Sequence, residues 1–170
     1  MTTPNSISQS DAVTAIAFLR HTLATLAYRV AKPLRDAPSE YGGFHAGPTS
    51  RTPAQLVAHI GDLMDWSLTI AQNREKWQDS PVQAWSSDVD RLFAAITAFD
   101  AFLAGGSVRD VRVLEQLFQG PVADALTHTG QLTMLRRLAS APMRSENYQR
   151  AQIAVGQTGI DQPPPKREFD

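Results

Sequence analysis

Apolar positions recur three and four residues apart in four stretches of this chain, and most of these stretches carry their own start and stop signals. In the first, from about Asp11 to Val30, the stripe is Val13, Ile16, Ala17, Leu23, Ala24, Ala27 and Val30. Ser8 or Ser10 supplies its cap and Pro33 its stop. The second opens on "TPAQ", where Thr52 caps, Pro53 fits the first turn and Gln55 completes a capping box. Leu56, His59, Ile60, Leu63, Trp66 or Ser67, and Ile70 then share a face, with His59 inside the apolar stripe. The third starts near "SSDVDRL", with Ser87 as cap and Asp90 three residues on. Val89, Leu92, Phe93, Ile96, Phe99, Phe102 and Leu103 form its buried side, and Gly105 and Gly106 end it.

A short turn, "SVRDVRVLEQLF", leads to the fourth stretch. Pro121 either breaks a continuous helix or occupies a first helical position, and Gly120 favours a fresh start. "PVADALTHTGQLTMLRRLAS" then runs to Pro142 with Gly130 as its one further breaker. Residues 33–51, rich in Gly, Pro and Ser, read as a long loop of the kind that carries function. "GIDQPPPKREFD" reads as an extended tail. No strand, repeat or low-complexity block is expected. The pattern predicts an all-α protein, most simply a four-helix bundle, in one domain over 1–170. Its core lies in about 10–142 and its tail in 143–170.

Composition narrows the functional classes. Hydrophobic residues are 42% and charged residues 19% of the chain, as in ordinary globular proteins. A net charge of -1 leaves no basic footprint, so no nucleic-acid partner is expected. With no cysteine there is no disulfide, no thiolate zinc site and no cysteine nucleophile. The start, "MTTPNSISQSDAV", lacks the features of a signal peptide, and no run of about 18 uncharged apolar residues appears. A soluble cytoplasmic protein without a membrane partner is the expectation.

The chemistry sits on the helical stripes. Asp124 and His128, four residues apart, differ by about 40° around a helix and about 6 Å along it, so they project side by side. His59, on another core-facing stripe, supplies a third group, and bundles build metal sites from facing helices in this way. A buried carboxylate needs a partner, which is either a divalent cation or a neighbouring histidine or arginine. Gln131, one turn beyond His128, is placed to orient a ligand. Gly130 either permits close packing or leaves room beside the site. His21 and His45 read as solvent-exposed, and Trp66, Trp77 and Trp85 as core or rim. Arg136 and Arg137 read as a solvated face from which one residue could hold a substrate carboxylate. No phosphate loop, H-E-x-x-H or serine–histidine–acid order is present.

"PAQLVAHIGDLMDW", "GPVADALTHTGQLTMLRRLASAP" and "ENYQRAQIAVGQTG" together resemble the DinB/YfiT-like four-helix-bundle metalloproteins. The histidine of "AHIGDL" and the H-x-G-Q pattern of "HTGQL" carry the resemblance, which spans most of residues 10–160. It implies an up-down-down-up bundle with a long crossover, and a homodimer. It puts metal ligands at His59 and His128, with Asp124 where the family usually has a histidine. A carboxylate there admits zinc, nickel, manganese or iron. The resemblance further implies a small-molecule substrate and a thiol-dependent S-transferase, an isomerase or a hydrolase. Any low-molecular-weight thiol would come from a cosubstrate, since the chain has no cysteine. Two other classes remain open: a non-catalytic metal-binding or stress-response bundle, and a helical interaction module without metal.

Overall fold

In the computed structural model, which describes residues 9–169, the chain is mostly helical. Its helices are α1 (Gln9–Leu34), α2 (Pro53–Ala71), α3 (Trp85–Ala104), α4 (Val111–Leu117) and α5 (Ala123–Leu138). The all-α expectation holds at this level. Among the described residues the one strand pairing is a two-residue antiparallel ladder of β1 (Ser145–Glu146) on β2 (Glu168–Phe169).

α2 packs most extensively on α3, while α1 touches α3 and α5, and α5 also meets α2. The shared core is built from Leu23, Leu26 and Val30 of α1, Ile60 and Met64 of α2, Ile96 and Phe99 of α3, and Leu132 of α5, all fully buried. Each such side chain contributes about 1.5–3 kcal/mol by leaving water. Arg20 of α1 clamps Asp100 of α3 through two 2.9 Å hydrogen bonds, which fixes the register of that pair.

Helix boundaries depart from the sequence pattern in four places. α1 starts by Gln9 with Ser10 inside it, so Ser10 is not the cap, and Ser8 lies outside the described residues. Its buried phase runs through Ala12, Leu19 and Leu23, leaving Val13 60% exposed. Pro33 does not stop α1. The helix carries on to Leu34, and Arg35 N–H still bonds Ala31 O at 2.9 Å, because a proline in the last turn removes only one donor. α3 begins two residues before Ser87, with Ala84 in the cap position; the Asp88 carboxylate accepts instead from Gln83 N–H at 2.8 Å. Pro121 opens no new helix. A π-helical turn, Phe118–Val122, carries α4 into α5, its wider spacing absorbing the missing N–H.

α2 starts as the sequence predicts. Thr52 Oγ1 accepts from Gln55 N–H at 3.2 Å, and Gln55 Oε1 accepts from Thr52 N–H at 2.9 Å. Gly106, at φ 64°, follows α3 as the glycine pair predicts.

The C-terminal segment lies back along the helices. Glu146, 6% exposed, accepts from Tyr28 Oη at 2.6 Å and from Lys32 Nζ at 2.9 Å. Lys32 also reaches Glu168 at 2.8 Å, and Thr158 bonds Thr97 of α3 at 2.9 Å. No described helix is long and apolar enough to cross a membrane.

Candidate metal centre

α2 and α5 each present a face to one rim of the molecule, and three side chains meet there. His59 comes from the second turn of α2, fixed by the Thr52 capping box below it. Asp124 and His128 stand on consecutive turns of α5. His59 Nε2 lies 3.6 Å from Asp124 Oδ2, and His128 Nε2 lies 3.3 Å from Asp124 Oδ1. The two imidazole rings are edge to face with centroids 4.9 Å apart. One ligand atom from each residue falls within 4.8 Å of the other two.

The spacing matters because 3.6 Å is beyond a hydrogen bond and 3.3 Å is at its limit. Bonds of about 2.0–2.2 Å to a tetrahedral centre would hold neighbouring donor atoms roughly 3.3–3.6 Å apart. His128 sharpens the point. Its Nδ1 lies 2.8 Å from Gln131 Oε1, so the amide oxygen accepts and Nδ1 carries the proton. That leaves Nε2 as the ring nitrogen facing the Asp124 carboxylate, the atom through which this imidazole can join Asp124 in holding a cation. The residues present therefore fit a divalent metal: His59, Asp124 and His128 can hold one.

Burial differs from the expectation of a carboxylate in the core. The Asp124 side chain is 46% exposed, whereas those of His59 and His128 are 19% and 13% exposed. With nearly half of the Asp124 side chain open to solvent, an ion here would keep positions open to incoming molecules. Burial pushes the His59 imidazole below its ordinary pKa, with the Arg51 and His128 charges adding to this and Asp124 opposing it. A neutral His59 is the metal-binding form.

Two clefts flank the cluster. One, of about 220 Å³, runs past His59 and is bordered by Arg51, Asp62, Asp79 and Ser80. The other, of about 390 Å³, runs past His128 and Gln131, with Leu56, Met134, Leu135 and Leu138 as its apolar wall. Ala46, Thr49 and Ser50, from the glycine-rich loop that follows α1, border its far side. That loop is anchored by Tyr41, fully buried, whose hydroxyl donates to Leu132 O at 2.7 Å.

Other sequence candidates fall elsewhere. His21 and His45 are exposed and stand apart from the cluster. Arg136 is not on a solvated face: it is 6% exposed, donates to Ala141 O at 2.8 Å and closes the end of α5. Arg137 is exposed and points to Ser145 Oγ at 3.1 Å, away from His59, Asp124 and His128. Gly130 makes room, but not at the cluster; two residues past His128 it faces about 200° away around the helix, and an added Cβ there would meet nothing within 4 Å.

Sequence reasoning missed the groups that support His59. Trp77, from the irregular segment after α2, sets its ring edge to face against His59 at 5.8 Å and against Trp66 at 5.5 Å. Behind His59, Arg91 of α3 donates to Asp62 Oδ1 at 2.9 Å and to Ala58 O at 2.6 Å, bracing the turn of α2 that carries the imidazole. Neither Asp62, which lies off the apolar stripe of α2, nor Trp77 carried a signal in the sequence pattern.

Comparison of the chain with protein-family models, characterised proteins and solved structures finds no match.

Proposed function

We propose that this chain is a metal-dependent enzyme of the DinB/YfiT-like kind, an up-down-down-up four-helix bundle acting on a small molecule. The observation that carries this reading is the convergence of His59, Asp124 and His128 within 4.8 Å, with His128 Nδ1 taken up by Gln131 and Nε2 turned toward Asp124. Zinc, nickel, manganese and iron all accept two imidazoles and one carboxylate. A bound divalent ion would supply Lewis acidity that brings a water or a thiol to its anionic form near neutral pH.

The reaction best supported is transfer of a cosubstrate thiol to an apolar electrophile. A thiol ionised at the site needs no further base, and the 390 Å³ cleft beside His128 offers an apolar wall for the acceptor. Leu56, Met134 and Leu138 bind its body, and the 33–51 loop shields it from bulk water. Arg51 borders both clefts and makes no ion pair among the described residues, which suits it to an anionic group on either partner. Hydrolysis is the second reading. It is favoured by Asp79, which borders the His59 cleft and could accept a proton from an attacking water.

Dimerisation is assigned to the surface where Phe18, 65% exposed, and Phe118, 43% exposed, border an apolar groove between α1 and α4.

The test is metal analysis of untagged protein, followed by a screen of thiols and electrophiles with each candidate metal. About one divalent ion per chain, lost in His59→Ala, is the expected result. No uptake of any of the four metals would sink the enzymatic reading and leave an interaction module.

A further inference from the structure

On the face of α5 opposite the metal cluster, α1, α5 and the segment after α5 line a further, solvent-open cavity of about 180 Å³. Its lining brings together three guanidinium groups, from Arg29, Arg137 and Arg144, against a single carboxylate, Glu146. That carboxylate is already committed to Tyr28 and Lys32. Arg144 pairs with Glu168 at 3.8 Å, outside the cavity lining. Neither Arg29 nor Arg137 meets a carboxylate among the described residues. Arg29 is held over the Tyr148 ring at 4.3 Å, and Arg137 donates to Ser145 Oγ at 3.1 Å, so both are positioned without being neutralised.

We propose that this cavity is a binding site for a tetrahedral oxyanion, a phosphate or sulfate group. Arginines arriving from three chain segments can donate around such an anion from several directions, where a planar carboxylate would satisfy one fork. The volume is below the roughly 300–1,000 Å³ of drug-sized pockets, which limits the ligand to a free ion or the head of a small ester. Gly130 lines the cavity and opens it, since no atom lies within 4 Å of a Cβ built there. Arg144, Ser145 and Tyr148 belong to the segment that follows α5, so an anion held here also ties that segment down.

The test is titration calorimetry of the whole chain with inorganic phosphate and with sulfate, at ionic strength fixed by sodium chloride, with acetate as the planar control. Hydrogen exchange of residues 144–148 serves as a second readout. The expected result is saturable one-to-one binding of the two tetrahedral ions, slower exchange over 144–148, and at least tenfold weaker binding of acetate. The double variant Arg29→Gln/Arg137→Gln should weaken binding at least tenfold. Gly130→Leu, which keeps every charge and fills the space, should do the same with helical content unchanged. His59→Ala should leave it intact, which separates this site from the metal centre and from the fate of the metal reading. An absence of saturable binding overturns the proposal. So does binding that survives Gly130→Leu, that disappears in His59→Ala, or that acetate matches.

Discussion

The guanidinium of Arg91 lies directly over Gly61: a Cβ at that position would stand 3.0 Å from its central carbon and from each terminal nitrogen. The glycine therefore lets α3 reach across α2 and grip Asp62 and Ala58 on either side of it. Gly61→Ala should gain about 1 kcal/mol of helix propensity. It should lose more, because charged hydrogen bonds such as those of Arg91 are worth about 1.5–3 kcal/mol each. A net loss of about 1 kcal/mol is expected, read as a lower midpoint in urea denaturation. Metal affinity should fall with it, since the displaced turn carries His59. A variant more stable than the parent would show that Arg91 moves aside freely.

Gln131 sets the tautomer of His128 by accepting from Nδ1 at 2.8 Å. Gln131→Leu keeps the helix and the three ligands but removes that acceptor. Partners of this kind are worth about 10–100-fold in metal affinity, and a drop of that size with unchanged stoichiometry is expected from competition against a chelator. Gln131→Glu should retain the acceptor and restore binding. Equal affinities for parent and Gln131→Leu would remove the amide from the site's design.

What could be read from the sequence was local. The Thr52–Gln55 box, the Gly105–Gly106 stop and the pairing of Asp124 with His128 all lie within four residues of one another, where helix geometry alone decides who meets whom. The start of α3 was misplaced because serine is the better intrinsic cap, yet Asp88 found its partner in Gln83, outside the helix. Pro121 was ambiguous because a proline says that one N–H is missing, not whether the backbone stops or widens into a π turn. The docking of the last segment was illegible for a different reason. Lys32 meets Glu146 and Glu168 across separations of 114 and 136 residues, and no short-range pattern encodes that. His59 joining the α5 pair was equally long-range; it entered through a stripe and a resemblance.

Met134 and Leu138, one turn apart on α5, are 63% and 55% exposed, and both wall the cleft beside His128. Neither belongs to the core, so the double change Met134→Ser/Leu138→Ser should alter stability by no more than about 0.5 kcal/mol per site. Its effect should appear in binding instead. An apolar fluorescent probe that the parent takes up should bind several-fold more weakly, with metal content unaltered. Large destabilisation would mean that these side chains support the fold and that their position at the cleft is incidental.

The last segment should detach at both ends of the pH scale. Lys32 raises its pKa against the cost of burial, through hydrogen bonds to Glu168 and Glu146. A raised folded value means that its contribution is full below the ordinary 10.5 and disappears as pH climbs through the folded value. Glu168 is shifted the other way, chiefly by its hydrogen bond from Lys32. Its contribution is full above the ordinary 4.5 and is lost as pH falls through the depressed value. Docking should therefore be firm between these limits and loosen outside them. The reporter is the amide of Asn147, which donates to Arg167 O at 3.0 Å beside the β1–β2 ladder. Comparison of its protection factor at several pH values, which corrects for the intrinsic exchange rate, should show a plateau and then a fall on the acid side. Glu168→Gln keeps the shape without the titrating carboxylate, so it should lower the plateau and remove that part of the acid fall which the parent alone shows. Identical acid profiles for parent and variant would assign the docking to Glu146 and the surrounding apolar contacts alone.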